Sequence, residues 1–390
     1  MRNDEESANA QVKKERGSAF AHSDLNIPSG FGIRHSSLSD RWIANRARLA
    51  ELVPQLESHD RIALDTEADS LHCYKEKLCL LQISTPQRDV IVDPLADVDL
   101  APLCDALAEK EIVLHGADYD LRLLRRNLNF VPQRIFDTVI AARLIGIHEF
   151  SLAALVQRYF EIELAKGSQK ANWAQRPLPA RMAEYAVNDT RYLLPMAERL
   201  ETELNSRDRM EWFRQSCQRA LELAAIDRER DLDEAWRISG AGALRDRASA
   251  VLRELWNWRE REAEAADRPP FHILQNRELL SAAERFAAGE SPDYKHFSDR
   301  RRSAFRQAAE RGMQLPEKDW PVRPRRSGTR ATAEVVKRIE QLRRNRDHVA
   351  KDLEIESSFI APRATLEAIA ADPARADALL VLWQRELLRI

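Results

Sequence analysis

Apolar positions follow two different rules along this chain. Between residues 60 and 116 they cluster in short runs rich in branched side chains: IALDT (62–66), LCLLQIS (78–84), VIV (within 89–92) and EIVLHG (111–116). Such runs predict strands. Elsewhere apolar residues recur every three to four positions, which predicts helices over 101–108, 118–128, 137–145 and 151–159, and a long one running from Pro177 toward residue 204. Residues 30–205 therefore read as an α/β domain. From residue 210 onward no strand pattern persists. Helices are expected over 210–230 and 243–266, with shorter ones reaching 313. The stretch QLPEKDWPVRPRRSG (314–328) is rich in proline and charge and ends in glycine, as linkers do. A last helical block covers 331–390.

The two helical blocks align without gaps at a shift of 87 residues. Leu252, Leu255, Arg259, Ala263, Ile273, Leu279 and Ala283 pair with Ile339, Leu342, Arg346, Ala350, Ile360, Leu366 and Ala370. A shared apolar register plus a shared arginine favours a duplicated unit over a chance match of helical patterns.

At 390 residues the chain exceeds one typical core. No apolar run approaches the roughly 18 residues that a membrane span needs. The polar start, MRNDEESANAQVKKERGSAF, lacks the apolar centre of a signal peptide and reads as a disordered tail over 1–30. Cys73, Cys79, Cys104 and Cys217 show no CxxC spacing, which argues against zinc and disulfides and for a cytoplasmic setting. The net charge of -2 hides an asymmetry: Lys295 to Asp347 holds 16 Lys/Arg against 7 Asp/Glu. That is either solvated surface or a face for a polyanion.

Candidate chemistry lies in the acids. Residues i and i+2 of a strand share a face, so Asp65 and Glu67 converge at the end of IALDTE. Either the strand frays into solvent there, or the two acids share a cation that relieves their repulsion. In HGADYDLRLL (115–124), Asp118 falls on a solvated face with Arg122, Arg125 and Arg126, whereas Asp120 falls with Leu123, Leu124 and Leu128. In AEYAVNDTRYLL (183–194), Tyr185 and Asp189 share a face with Met182, Ala186, Tyr192, Leu193 and Met196. Each of these acids alone also fits a cap or a buried hydrogen bond. Together, Asp65, Glu67, Asp120 and Asp189 make an oxygen-rich set suited to two Mg²⁺ or Mn²⁺ ions. Tyr185 stands one helical turn before Asp189, where it would orient or deprotonate a water.

DTE (65–67), HGADYDL (115–121) and Y-x3-D (185–189) resemble, in order and spacing, the three motifs of the DEDD 3′–5′ exonucleases; tyrosine marks the DEDDy branch. The likeness extends to FDT (136–138) and NWAQRPL (172–178). Residues 243–279, with W-x-W-R-E at their centre, resemble the HRDC domain. A DEDDy domain followed by two HRDC-like units resembles the layout of the ribonuclease D family. The resemblance implies a ribonuclease H-like mixed β-sheet flanked by helices, followed by two all-α HRDC-like domains. The expected boundaries are a tail over 1–30, an exonuclease domain over 31–209, a connecting helix and first HRDC domain over 210–313, a linker over 314–328 and a second HRDC-like domain over 329–390. It also implies that Asp65, Glu67, Asp120 and Asp189 ligate two divalent metals and that Tyr185 positions the attacking water. The implied reaction removes 3′-terminal nucleotides from RNA with a single-stranded 3′ end, typically tRNA precursors, and releases nucleoside 5′-monophosphates. No membrane and no obligate protein partner are implied. The second unit departs from the pattern, with Arg343 and Asn345 where Trp256 and Trp258 stand in the first.

Other residues carry competing readings. Trp173 fits base stacking or loop packing; Tyr192 fits the core better. Lys166, Gln169 and Lys170 precede the last motif and fit phosphate contacts or an exposed loop. His115 is expected to be a hydrogen-bonded structural residue, Trp256 and Trp258 HRDC core, and Asp69 part of a loop. Two alternatives share these residues. A DNA exonuclease would use the same carboxylates, because the 2′-OH contacts that separate the two are not legible here. A nucleic-acid-binding scaffold with a dead nuclease domain conflicts with the complete set of acids.

Overall fold

The structure, a computed structural model, describes residues 38–390 except 166, 168, 227–230, 232 and 323–331. The expected tail over 1–30 and part of the expected linker, 323–328, therefore lie outside the described residues. Six strands form one mixed sheet: β1 Trp42–Ile43, β2 Arg61–Ala68, β3 Leu78–Ser84, β4 Asp89–Val92, β5 Glu111–Leu114 and β6 Arg134–Asp137. Their order is β1-β4-β3-β2-β5-β6. β2 and β3 are antiparallel, with Asp65 opposite Gln82, and β2 pairs in parallel with β5. The long apolar runs are the central strands, as their composition demands; β3 is buried along its whole length. The runs expected to be strands are strands, but the one at 111–116 stops at Leu114, because Gly116 takes φ 78 in the turn that follows.

The long helix expected after Pro177 is two helices, Ala180–Arg191 and Leu193–Ser206, meeting at Tyr192. Pro195 explains the break. It has no N–H to give the carbonyl four residues back, and its ring crowds that carbonyl. The helix expected over 210–230 spans Met210–Ala225.

The first HRDC-like block has its own core, in which Trp256, Trp258, Phe286, Phe297 and Phe305 are all buried. It meets the exonuclease domain at the loop that follows β2. Tyr74 packs against its core, the Tyr74 amide donates to Asp267 (3.1 Å), and Lys77 pairs with the same carboxylate. The two helical blocks that align at a shift of 87 residues each hold a matching hydrogen bond. Arg259 donates to the Leu274 carbonyl (3.2 Å), and Arg346 to that of Ala361 (2.9 Å).

The C-terminal block is built differently from the first helical block. Its buried residues, including Leu342, Ile360, Leu366, Trp383 and Leu388, are continuous with the core under the sheet. Helix Met210–Ala225 makes the connection. Phe213 meets Phe136 of β6 (centroids 4.5 Å apart) on one side, and Trp212 stacks on Trp383 (5.2 Å) on the other. Buried Arg209 donates to the carbonyls of Leu144 (2.6 Å) and Leu353 (2.9 Å), so one guanidinium caps the C-terminal ends of two helices, one from the α/β domain and one from the C-terminal block. Gly146, at φ 89, passes so close that a Cβ would stand 2.6 Å from the Glu354 oxygen. Among the described residues no helix is long and apolar enough to cross a membrane.

Candidate active site

Asp65 and Glu67 leave β2 on the same face, as the period of two requires. Helix Ala180–Arg191 lies across that face and brings in Asp189. Its seat is set by a polar network. Ser84 of β3 donates to Asp89 (2.8 Å) and shares a hydrogen bond with Thr190 (2.7 Å), and Arg191 donates to Asp89 (3.1 Å). Oxygen atoms of Asp65, Glu67 and Asp189 then lie within 4.8 Å of one another. Asp120 does not join that trio. It is buried in the first turn of helix Asp118–Leu128, where it accepts a 2.5 Å hydrogen bond from the Thr66 hydroxyl. Asp118 faces outward and pairs with Arg122 at 2.6 Å, as the helical face predicts.

The electrostatics are those of crowded acids. Burial, then Asp120, Asp189 and Glu67, raise the Asp65 pKa well above the carboxylate range. Burial and the charges of Asp189 and Asp120 push Glu67 up to about 9. Burial and Asp120 carry Asp189 to about 7. Burial takes Asp120 to about 6, against the pull of the Thr66 hydrogen bond. Four mutually repelling, poorly hydrated carboxylates fit a multivalent cation, and an all-oxygen donor set fits a hard one. The site therefore has the donors, the spacing and the uncompensated charge for divalent metal.

Tyr185 is half-buried on the same helix as Asp189. Burial, followed by the charges of Asp189, Glu67 and Asp65, holds its phenol above the usual range, so it stays protonated at neutral pH. The Gln169 side chain reaches this phenol and pulls its pKa the other way. Gly167 lies against the ring, where an added Cβ would overlap its edge. Trp173 is 1% exposed with its ring 6.1 Å from that of Tyr185. Its faces are therefore not open for a base to stack on; the polar look of the local sequence gives no sign of a tertiary contact with the helix. Lys170 is exposed, with its carbonyl 3.1 Å from His72. Lys166 lies outside the described residues. Tyr192 is buried against Phe160.

His115 is the hydrogen-bonded residue expected of it. The Thr138 hydroxyl donates to the Leu114 carbonyl (3.1 Å), so His115 Nδ1, 2.8 Å away, must carry the proton it shares with that oxygen. Burial lowers the His115 pKa. Asp69 does leave the strand for a loop, but it is buried there. Its carboxylate accepts from the Lys77 amide (2.8 Å) and folds the loop back on itself.

Two supporting residues escape the sequence reading. Asp137 accepts the amides of Gly116 (3.0 Å) and Ala117 (2.9 Å), fixing the turn from which the Asp120 helix starts. Its only signal is its place in FDT. Thr66, between the two strand acids, is the anchor of Asp120; polar alternation at a strand end was its signal.

The 3′–5′ exonuclease family profile matches residues 41–205, and that of the HRDC domain matches 248–289. Among curated relatives, ribonuclease D of Pseudomonas paraeruginosa is 30% identical over 293 residues, covering 72% of this chain and 77% of the relative. Ribonuclease D of Nitrobacter hamburgensis is 28% identical, covering 88% and 92%. The crystal structure of Escherichia coli RNase D, described as an exoribonuclease involved in structured RNA processing, shares the fold. It superposes with a TM-score of 0.68 at 24% identity over 89% of this chain and 96% of that one.

Proposed function

The chain belongs to the ribonuclease D family and is an exoribonuclease, and on that footing we propose that it trims single-stranded 3′ ends of RNA, tRNA precursors among them, by metal-assisted hydrolysis. The observation that carries this reading is the meeting of Asp65, Glu67 and Asp189 within 4.8 Å, one helical turn from Tyr185.

Asp65, Glu67 and Asp189 would hold a divalent ion, with Asp120 available to a second from its post on Thr66. Two Mg²⁺ or Mn²⁺ ions would supply the Lewis-acid charge that phosphodiester hydrolysis requires. Tyr185, kept protonated by its surroundings, is a poor base but a fixed hydrogen-bonding group, so it orients water and does not deprotonate it. Water attacks the terminal phosphorus and the P–O3′ bond breaks. The shortened chain keeps a 3′-hydroxyl, and a nucleoside 5′-monophosphate leaves. The preference for a structured RNA with a free end is supported by the description of the Escherichia coli relative and by the basic stretch around 295–347.

The test is incubation of purified protein with a 3′-extended tRNA precursor and Mg²⁺, beside single-stranded RNA and DNA of matched sequence. Stepwise loss of 3′ nucleotides as 5′-monophosphates is expected, with RNA preferred. Full activity of Asp189→Ala, or activity indifferent to EDTA, would sink the mechanism; equal cutting of DNA would remove the RNA preference.

A further inference from the structure

The strand β3 reads LCLLQIS, an apolar run with one amide in its middle. That amide belongs to Gln82, which is 0% exposed. Among the described residues neither its nitrogen nor its oxygen has a hydrogen-bond partner. Burying an unpaired amide costs about 1–3 kcal/mol, and an apolar side chain of the same shape would avoid the cost. Such a group in a native core calls for an explanation.

Its position supplies one. Gln82 stands directly opposite Asp65 in the antiparallel ladder, so the two side chains share a face, with Cβ atoms roughly 4.5–5.5 Å apart. The next residue of β3 on that face, Ser84, touches Thr190, the neighbour of Asp189. Gln82 therefore lies under the helix that carries Asp189 and Tyr185, beside the acid at the centre of the cluster. On its other flank the ladder partner is Ile91, which offers no polar side chain. Asp65 is thus the side chain across the ladder that a carboxamide N–H can serve.

We infer that Gln82 is a positioning residue of the metal site: its carboxamide, unpaired here, turns to donate to Asp65 when the acids hold a cation and keeps that carboxylate in its ligating orientation. The inference rests on the reading of Asp65, Glu67 and Asp189 as cation ligands. Carboxylates that ligate metals are themselves held by hydrogen bonds from a surrounding layer, and loss of such a partner weakens metal binding about 10–100-fold. An amide suits the task better than an ammonium, because it donates without adding a charge that competes with the cation.

The test uses the full chain without RNA. Mn²⁺ affinity is measured by titration calorimetry, and thermal unfolding is followed in EDTA, for wild type, Gln82→Met and Gln82→Leu. Asp189→Asn is the control for a lost ligand. Both Gln82 variants are expected to unfold in EDTA at the wild-type temperature or above it, and to bind Mn²⁺ about tenfold more weakly. A merely structural glutamine would give the opposite pattern. Wild-type Mn²⁺ affinity in both variants overturns the assignment, and so does destabilisation of both in EDTA. If wild type itself binds no Mn²⁺, the reading of the acidic cluster fails first, an outcome distinct from failure at Gln82 alone.

Discussion

Replacing Asp189 by Asn should stabilise the metal-free protein, and only above acid pH. Asp189 titrates near 7 in the folded chain, because burial and Asp120 disfavour its charge; a free aspartate titrates near 3.8. Between those values the folded state holds a proton that the unfolded state has released. Stability therefore falls as pH rises through this window. Below about pH 4 both states are protonated and the group costs nothing; above 7 its full cost is present, and Glu67 extends the decline toward 9. Each pH unit of displacement is worth about 1.4 kcal/mol, so Asp189 carries a gross cost of about 4 kcal/mol. Asp189 titrates together with its acidic neighbours and its repulsion with Asp120 is partly screened by solvent, leaving roughly 2 kcal/mol. Urea unfolding in EDTA should show Asp189→Asn equal to wild type near pH 4 and about 2 kcal/mol more stable at pH 8. Saturating Mg²⁺ should close or invert the gap, since the cation binds the acid and not the amide. A gap that is absent in EDTA, or that does not change between pH 4 and 8, would refute the account of crowded, uncompensated carboxylates.

Three further outcomes are expected. Trp383→Ala removes a buried ring stacked on Trp212 and bonded through its indole N–H to Ser216 (3.1 Å); it should cost about 3–5 kcal/mol in denaturant unfolding and lower the midpoint at which nuclease activity is lost. A separate C-terminal transition with the nuclease midpoint unmoved would contradict the continuous core. Tyr185→Phe should keep Mn²⁺ affinity by calorimetry while kcat falls about 100-fold; a parallel loss of metal would make the phenol a ligand and not a water-orienting group. Thr66→Val keeps the shape that suits a strand but frees Asp120; Mn²⁺ binding should weaken about tenfold with little change in EDTA-state stability, and unchanged binding would leave Thr66 without a role at the site.

The central strands were legible because their apolar runs are long and branched, and Asp120 because it interrupts a helical stripe of leucines. β6 was not, since four residues, RIFD, are too few to display a period. The break at Tyr192 was masked by apolar periodicity that continues through Pro195. Trp173 sits among polar neighbours, and only the packing of its loop on Tyr185 shows that it is buried. Convergence of Asp65, Glu67 and Asp189 could be argued from faces of elements, whereas the separate anchoring of Asp120 on Thr66 depends on how a helix start meets a strand end. The same limit hid the cover of the C-terminal block: an amphipathic helix declares that it is covered, not by what.

That cover bears on the order of events when the protein is made. Asp65, Glu67, Asp120 and Asp189 all leave the ribosome well before Leu342 to Leu388, yet those later residues complete the apolar layer on which helix Met210–Ala225 rests. A nascent chain halted ahead of Leu342 holds all four of these acids on a scaffold with one side open. Synthesis of the C-terminal block is therefore expected to act as a checkpoint, with the exonuclease domain reaching its full stability only once that block has docked. Ribosome-stalled chains released before and after this segment should differ in protease resistance of the exonuclease domain, and equal resistance would deny the checkpoint.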